Sequence, residues 1–261
     1  MFLKEEEASI ITSRGCPYNC AFCGGARSLN NDCKIRIRDN NSIITEIQNI
    51  VDLYPDVKSI RILDDLFIRD SKSIDNAYSI FNHFSQLSWR GMAHVRSLKN
   101  NLGKLDKLKS SKCKELFVGI ESGSEAVRKK INKLGKVKDI IDVSTAILQN
   151  GIDLKGYFIY GFPEETKSDF QKTYELASKI TEVSHSTLGN FRTSVFQFRP
   201  YEGTELYREI FNGKEFNHDF KINNAISGRE GRTQFNLNNG NYSKESDEML
   251  EDFINKTLDL K

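Results

Sequence analysis

The chain has 261 residues, 38% of them hydrophobic, with 38 Lys and Arg against 36 Asp and Glu for a formal net charge of +2. That length suffices for one α/β barrel or two small domains with a substantial core, and the near-neutral balance gives no long-range field to draw DNA, RNA or an anionic membrane. No stretch approaches the ~20 apolar residues of a membrane span, and the acidic start Met1-Phe2-Leu3-Lys4-Glu5-Glu6-Glu7 does not read as a secretion signal. A cytoplasmic protein that handles a small molecule is expected.

Ser9 to Thr12 is a short β-prone run that enters a loop rich in Gly and Cys. Ile43, Ile44, Ile47, Ile50, Val51 and Tyr54 then recur at helical spacing until Pro55, and Val57 to Leu63 reads as a second strand. Ile74, Ala77, Tyr78, Phe81 and Phe84 form another helical stripe. A third strand is expected at Gly91 to Arg96, followed by a short helix around Leu102, Leu105 and Leu108.

Glu115 to Ile120 reads as strand four, and Ala126 to Leu148 as a helix in two pieces around Gly135, closed by Asn150-Gly151. Strand five is Ile152 to Tyr160. Thr166 with Asp169 resembles a capping box that opens the next helix, and strand six is Ser194 to Phe198. Six β/α units without a G-x-G-x-x-G after any strand predict an α/β fold, a partial (β/α)6 barrel, over residues 1–210. Residues 211–261 are expected to be a polar loop or lid followed by a closing amphipathic helix around Met249, Leu250, Phe253, Ile254 and Leu258.

The chemistry concentrates in Cys16-Pro17-Tyr18-Asn19-Cys20-Ala21-Phe22-Cys23, a C-x3-C-x2-C spacing on the loop after the first strand. Three thiolates on one short loop suit three irons of a cubane cluster, with the fourth iron left for a substrate. A structural zinc site wants four paired Cys or His ligands, and none of the remaining residues supplies the partner spacing. The bland alternatives are an incidental zinc site, or a disulfide and a spare thiol.

Thr12 to Cys23 resembles the cluster loop of the radical S-adenosylmethionine superfamily, and within it the cobalamin-associated branch. The resemblance extends from about Ser9 to Thr204. It implies an enzyme with a [4Fe-4S] cluster on Cys16, Cys20 and Cys23. That cluster reductively cleaves S-adenosyl-L-methionine to a 5′-deoxyadenosyl radical, using a low-potential electron donor such as flavodoxin or ferredoxin.

The same resemblance implies cofactor contacts at the ends of the strands. Asp64-Asp65 is similar to the acidic motif that binds the methionine amino group, although a helix cap or a salt bridge explains the pair equally. Gly119-Ile120-Glu121-Ser122-Gly123 resembles the segment that reaches the ribose or the methionine moiety, making Glu121 and Ser122 candidates. Ser124 also suits a helix cap. Ile159, Gly161 and Glu164 match the element beside the adenine, with Tyr157 standing where its first glycine would be. Phe198 and Arg199 resemble the turn that closes that site, and Phe22 a usually aromatic position near the adenine; Phe22 and Phe198 equally suit packing.

His94 and Arg96 are expected on strand three, facing either substrate or the methionine carboxylate, with satisfied structural roles as the alternative. Cys33 is a candidate hydrogen donor to a substrate radical, and Cys113 a poorer one because it precedes strand four. With no further cysteines toward the C-terminus, an auxiliary cluster is not expected. Only fifteen residues precede Cys16, too few for a cobalamin-binding domain. The preferred expectation is therefore a cobalamin-independent reaction on a small metabolite: epimerisation, dehydrogenation, dehydration or rearrangement. The rival readings are a cobalamin-dependent methyltransferase, a methylthiotransferase-like modifier of RNA or protein, and a non-enzymatic iron-sulfur carrier or sensor.

Overall fold

The computed structural model describes residues 6–32, 34–211 and 240–260. Cys33, and all but the margins of the expected lid, lie outside the described residues. The first strand, β1 (Glu7–Ile10), is followed by two short strands, β2 (Ser13–Arg14) and β3 (Arg36–Ile37), which form a small antiparallel ribbon of their own. The strands β4 (Ser59–Ile62), β5 (Ser88–Ala93), β6 (Cys113–Glu121), β7 (Asp153–Tyr160) and β8 (Phe191–Gln197) complete the main sheet.

That sheet has the order β1-β4-β5-β6-β7-β8, all parallel, as expected for a partial barrel. Each strand after the first lies beside its predecessor in the sheet, so every crossover carries a helix onto the same outer face. Alternation then decides which side chains meet those helices. Ile60 and Ile62 on β4, Trp89 on β5, Leu116 on β6 and Leu154, Phe158 and Tyr160 on β7 are all buried in the core between sheet and helices. The intervening residues line the concave face.

The helices begin where the sequence offers a cap. Asp39 caps α1 (Asn40–Leu53) by accepting the N–H groups of Asn41 and Ser42, and Ile43 and Ile47 are buried against the sheet. Asp70 and Ser73 form a reciprocal box at the start of α2 (Ser71–Phe81). The expected third strand is displaced by three residues. Trp89 donates to the Ser111 carbonyl at 2.8 Å from the outer face, and β5 ends at Ala93. His94 is the N-cap of a short helix, α3 (Val95–Lys99), so His94 and Arg96 are not strand residues.

Next come α4 (Leu105–Ser110), then α5 (Glu125–Lys130) and α6 (Val137–Gln149), which are separated by Gly135 as expected, and α7 (Lys167–Ser184). Thr166 and Asp169 do form a capping box, with Thr166 donating its N–H at 3.1 Å and its hydroxyl at 2.7 Å to Asp169 Oδ2. A further helix, α8 (Glu205–Phe211), follows β8. The closing helix, Asp247–Leu258, packs Leu250, Phe253 and Ile254 into the main core. Its Thr257 hydroxyl lies 2.8 Å from the Tyr160 hydroxyl.

The closing helix is thus an outer layer of the barrel. Phe253 is buried against Tyr160 and Phe170, at ring-centroid distances of 6.3 and 5.4 Å. Phe253→Ala is expected to cost about 3–5 kcal/mol of stability, visible as a lower urea midpoint with an unchanged slope.

Candidate active site at the cysteine loop

The loop that carries the cysteines starts from a buried carboxylate. Asp64, just beyond the end of β4, accepts the Thr12 N–H at 2.7 Å, the Thr12 hydroxyl at 2.6 Å and the Ser13 hydroxyl at 2.5 Å. The exposed Asp65 accepts the Gly15 N–H at 2.8 Å. The acidic pair expected to meet a cofactor therefore holds the root of the loop; the Asp64 side chain is committed to that task. Farther along, Ala21 donates to the Ile131 carbonyl at 2.9 Å and its own carbonyl accepts Leu206 N–H at 3.0 Å.

Cys20 is buried, and Cys16 and Cys23 are half-buried. Burial raises all three thiol pKa values, that of Cys20 to about 11; Cys23 adds to the rise at Cys16, and Cys16 and Cys23 add to that at Cys20. Among the described residues no three His, Cys, Asp or Glu side chains close on one point as a single-ion site. The sulfurs share a neighbourhood, and the donor set is purely thiol, the chemistry that iron-sulfur clusters require. Gly25 N–H donates to Cys23 Sγ at 3.3 Å, the kind of hydrogen bond that tunes a cluster's potential.

Behind the sulfurs lies a buried ion pair. Lys133 Nζ stands 2.9 Å from Glu121 Oε1, and both side chains are only 8% exposed. Burial disfavours the Lys133 charge, but Glu121 and Cys20 together more than offset it, and its pKa ends above the ordinary lysine value. The Lys133 charge opposes the rise in all three thiol pKa values. Glu121 adopts φ +67°, a left-handed conformation disfavoured for a residue with a side chain. A Cβ at Gly119 would collide with the Glu121 carboxylate and Lys133 Nζ, so a side chain there would displace the buried pair.

An apolar cluster flanks the loop on its other side. Ala21, Phe162, Phe198 and Leu206 form its buried part, and Phe22 and Ile159 pack against it half-buried. Phe22 meets Phe162 edge-on at 5.5 Å, and Phe162 lies 4.9 Å from Phe198. Thus Phe22, Ile159 and Phe198 come together, with Phe198 in the packed interior. Gly161 takes φ +91° in the adjoining turn, where Glu165 Oε2 accepts the Gly161 and Phe162 N–H groups at 2.8 and 3.0 Å.

Other expected residues fall elsewhere. Ser122 is fully buried, its hydroxyl 3.1 Å from Thr173 Oγ1 on α7, so it ties a helix to the strand end and does not face the site. Ser124 caps α5 and donates to Asp169 Oδ1 at 2.6 Å. Glu164 is exposed and paired with Lys244 at 2.7 Å. Arg199 lies over the Tyr201 ring at 5.2 Å. Arg96 is exposed on α3.

His94 is buried, stacked on Tyr18 of the cysteine loop at 3.8 Å, and accepts Arg96 N–H at 3.1 Å through Nδ1. Burial, then the charges of Lys133, Arg128 and Arg96, push its pKa down to about 2. It is a neutral buttress for the loop. Cys113 opens β6 at the opposite end of the barrel and is fully buried. Lys133 and the Tyr18–His94 stack gave no sequence signal, because each pairs residues far apart in the chain.

These features meet at the C-terminal end of a parallel barrel sheet, where barrel enzymes carry their chemistry. The Radical SAM superfamily model matches residues 10–177, and the chain belongs to that superfamily of enzymes, which bind a [4Fe-4S] cluster and S-adenosylmethionine. It is 30% identical over 200 residues to an uncharacterised methyltransferase of Pyrococcus horikoshii, covering 76% of this chain and 40% of that protein. It is 26% identical to the cytidylyl-2-hydroxyethylphosphonate methyltransferase of Streptomyces wedmorensis, covering 77% and 36% of the two.

Among solved structures, the cobalamin-binding methyltransferase TsrM of Kitasatospora setae, with tryptophan and a cofactor analogue bound, superposes with a TM-score of 0.66. Identity is 15%, and 80% of this chain and 39% of that one are covered. The cobalamin-dependent radical enzyme OxsB gives 0.65 at 16% identity, over 80% and 36% of the two chains. These likenesses establish the fold. The chain spans about two-fifths of the length of these proteins. No described helix is long and apolar enough to cross a membrane.

Lys133→Met leaves the Glu121 charge buried without its partner and is expected to cost about 3–5 kcal/mol in chemical denaturation, most of it recovered in Glu121→Gln/Lys133→Met. Burial also lifts the Glu165 carboxyl from 4.5 to about 8. The folded chain then holds this proton where the unfolded chain has lost it, so stability falls as pH rises between those values and levels off above. Glu165→Gln keeps the acceptor for both N–H groups; melting curves should show a flatter decline and a higher Tm than wild type at pH 8.

Proposed function

We propose that Cys16, Cys20 and Cys23 hold the [4Fe-4S] cluster and that the enzyme acts on a small molecule at the mouth of the barrel. The supporting observation is the all-thiol loop held at the strand ends, with the Lys133 charge behind it. When bound, the cluster supplies the electron, from a donor such as flavodoxin or ferredoxin, that splits S-adenosylmethionine into methionine and a 5′-deoxyadenosyl radical, which takes hydrogen from the substrate. Epimerisation, dehydrogenation, dehydration or rearrangement then follows from the substrate's own structure.

The chain's own residues supply position and shelter. The loop cannot drift, because Asp64 and Asp65 hold its start and Ile131 and Leu206 hold its middle. Half-buried Phe22 and Ile159 offer an apolar wall for the adenine, and Gly161 permits the tight turn beside it. His94 stays neutral beneath Tyr18 and neither gives nor takes a proton near neutral pH.

A second reading is methyl transfer, which the names of the two methyltransferase relatives and the cobalamin-containing neighbours support. A tRNA methylthiotransferase of Thermotoga maritima is 30% identical over 117 residues, 44% of this chain. The net charge of +2 gives no strong overall positive field to draw tRNA and supports the small-molecule reading over that one.

Anaerobic reconstitution with iron and sulfide, followed by dithionite and S-adenosylmethionine, separates these. Wild type should form 5′-deoxyadenosine well above the Cys16→Ala/Cys20→Ala/Cys23→Ala background. S-adenosylhomocysteine formed only when cobalamin is added would instead support methyl transfer. A complete cluster that yields neither product would sink the enzyme reading of this loop.

A further inference from the structure

The concave face of the barrel is unusually charged for an interior surface. Arg90 on β5 bonds Glu7 of β1 at 2.5 Å and Glu115 of β6 at 3.4 Å. Glu115 in turn takes two bonds from Arg192 of β8, at 2.6 and 2.8 Å. This chain of two carboxylates and two guanidiniums crosses the sheet and is neutral as a set, with each member satisfied by another.

Arg61 stands outside it. It occupies the position on β4 beside Arg90 in the register, on the same face, since its neighbours Ile60 and Ile62 are both buried against the helices. Its guanidinium lies 5.8 Å from the Phe117 ring centroid, and that of Arg90 lies 5.7 Å from the same ring. Two like charges therefore flank one aromatic ring. Arg90 is neutralised by Glu7 and Glu115, whereas among the described residues the Arg61 side chain makes no hydrogen bond or ion pair, and its Nε is buried without a partner.

A guanidinium partly withdrawn from water, as Arg61 is with its half-buried side chain and buried Nε, is stabilised by a matching anion. A cation–π contact compensates only partly, and the planar fork of donors that Arg presents is shaped for a carboxylate or a phosphate. The residue is only three positions before Asp64, on the wall below the cysteine loop. We propose that Arg61 anchors an anionic group, a carboxylate or a phosphate, on the small molecule that binds the concave face. The neutral Glu7–Arg90–Glu115–Arg192 set beside it leaves Arg61 as a guanidinium without a carboxylate partner among the described residues, free to select this group. The assignment rests on the reading of the barrel mouth as the substrate site.

The test is calorimetric titration of the reconstituted holoenzyme with inorganic phosphate, acetate and, as a neutral probe, glucose. Wild type should bind one of the two anions, Arg61→Met should bind it at least tenfold more weakly, and Arg61→Lys should fall between. The tighter anion tells phosphate from carboxylate. Equal binding by wild type and Arg61→Met, or no anion binding by wild type, would overturn the proposal.

Should Arg61→Met not fold, phenylglyoxal modification of wild type mapped by mass spectrometry replaces it. Arg61 should be protected by the anion, and unchanged labelling would overturn the assignment. Neither readout uses cofactor cleavage. An enzyme that binds phosphate through Arg61 but never forms 5′-deoxyadenosine would retain the anchor and lose the proposed reaction.

Discussion

The Asp64 carboxylate is the fixed point of this site. It sits just beyond the end of β4, the neighbour of β1 in the sheet, and takes three hydrogen bonds from Thr12 and Ser13, so the chain leaving β1 has one direction in which to depart. Ser13 also receives Arg69 at 3.0 Å, and Arg38 N–H bonds the Thr12 carbonyl at 2.9 Å, which draws the β2–β3 ribbon onto the same anchor. The far half of the loop is held by Asn132, whose amide donates to Asn19 O at 2.7 Å, and by the Tyr18–His94 stack. Three cysteines on a free loop would have to be ordered by whatever they bind. Here the protein has met that cost in folding, which is how a precise ligand set is kept.

What was legible in the sequence follows from the range of each signal. The β/α succession, the Thr166–Asp169 cap and the break at Gly135 are local patterns, and the structure keeps them. The third strand lies three residues earlier than its apolar run suggests because it is set by Trp89 and Arg90, whose burial and ion pairing depend on Ser111, Glu7 and Glu115. His94 and Arg96 then fell into a helix that five residues barely announce. Ser122 was read by its place in a motif, yet a hydroxyl at a strand end serves equally to hold the helix behind it, and only the position of Thr173 decides.

Lys133 and Arg128 show the same limit from the other side. Both read as ordinary basic residues near a helix end, but the fold buries them. Arg128 donates to the carbonyls of Ile120, Ser122, Leu134 and Gly135, so its guanidinium staples the end of β6 to the turn between α5 and α6. Lys133 pairs with Glu121 in the same neighbourhood. Of this trio, two are cations and one is an anion.

That imbalance has two effects at once. It holds His94 neutral, because a third positive charge in the same buried space is disfavoured; after burial, Lys133 and Arg128 are the main causes of its low pKa. It also bears on the sulfurs, where Lys133 works against the burial that keeps Cys20 protonated, while Glu121 raises the Cys20 and Cys23 pKa values and outweighs Lys133 at Cys23. Three thiols that lose their protons to iron place negative charge in a partly dry site. Hydrogen bonds and charge around sulfur set the potential of the cluster that such a site holds. The strained left-handed backbone at Glu121 is then understandable as the conformation that keeps this carboxylate on Lys133, close enough to hold it in place but unable to cancel both cations.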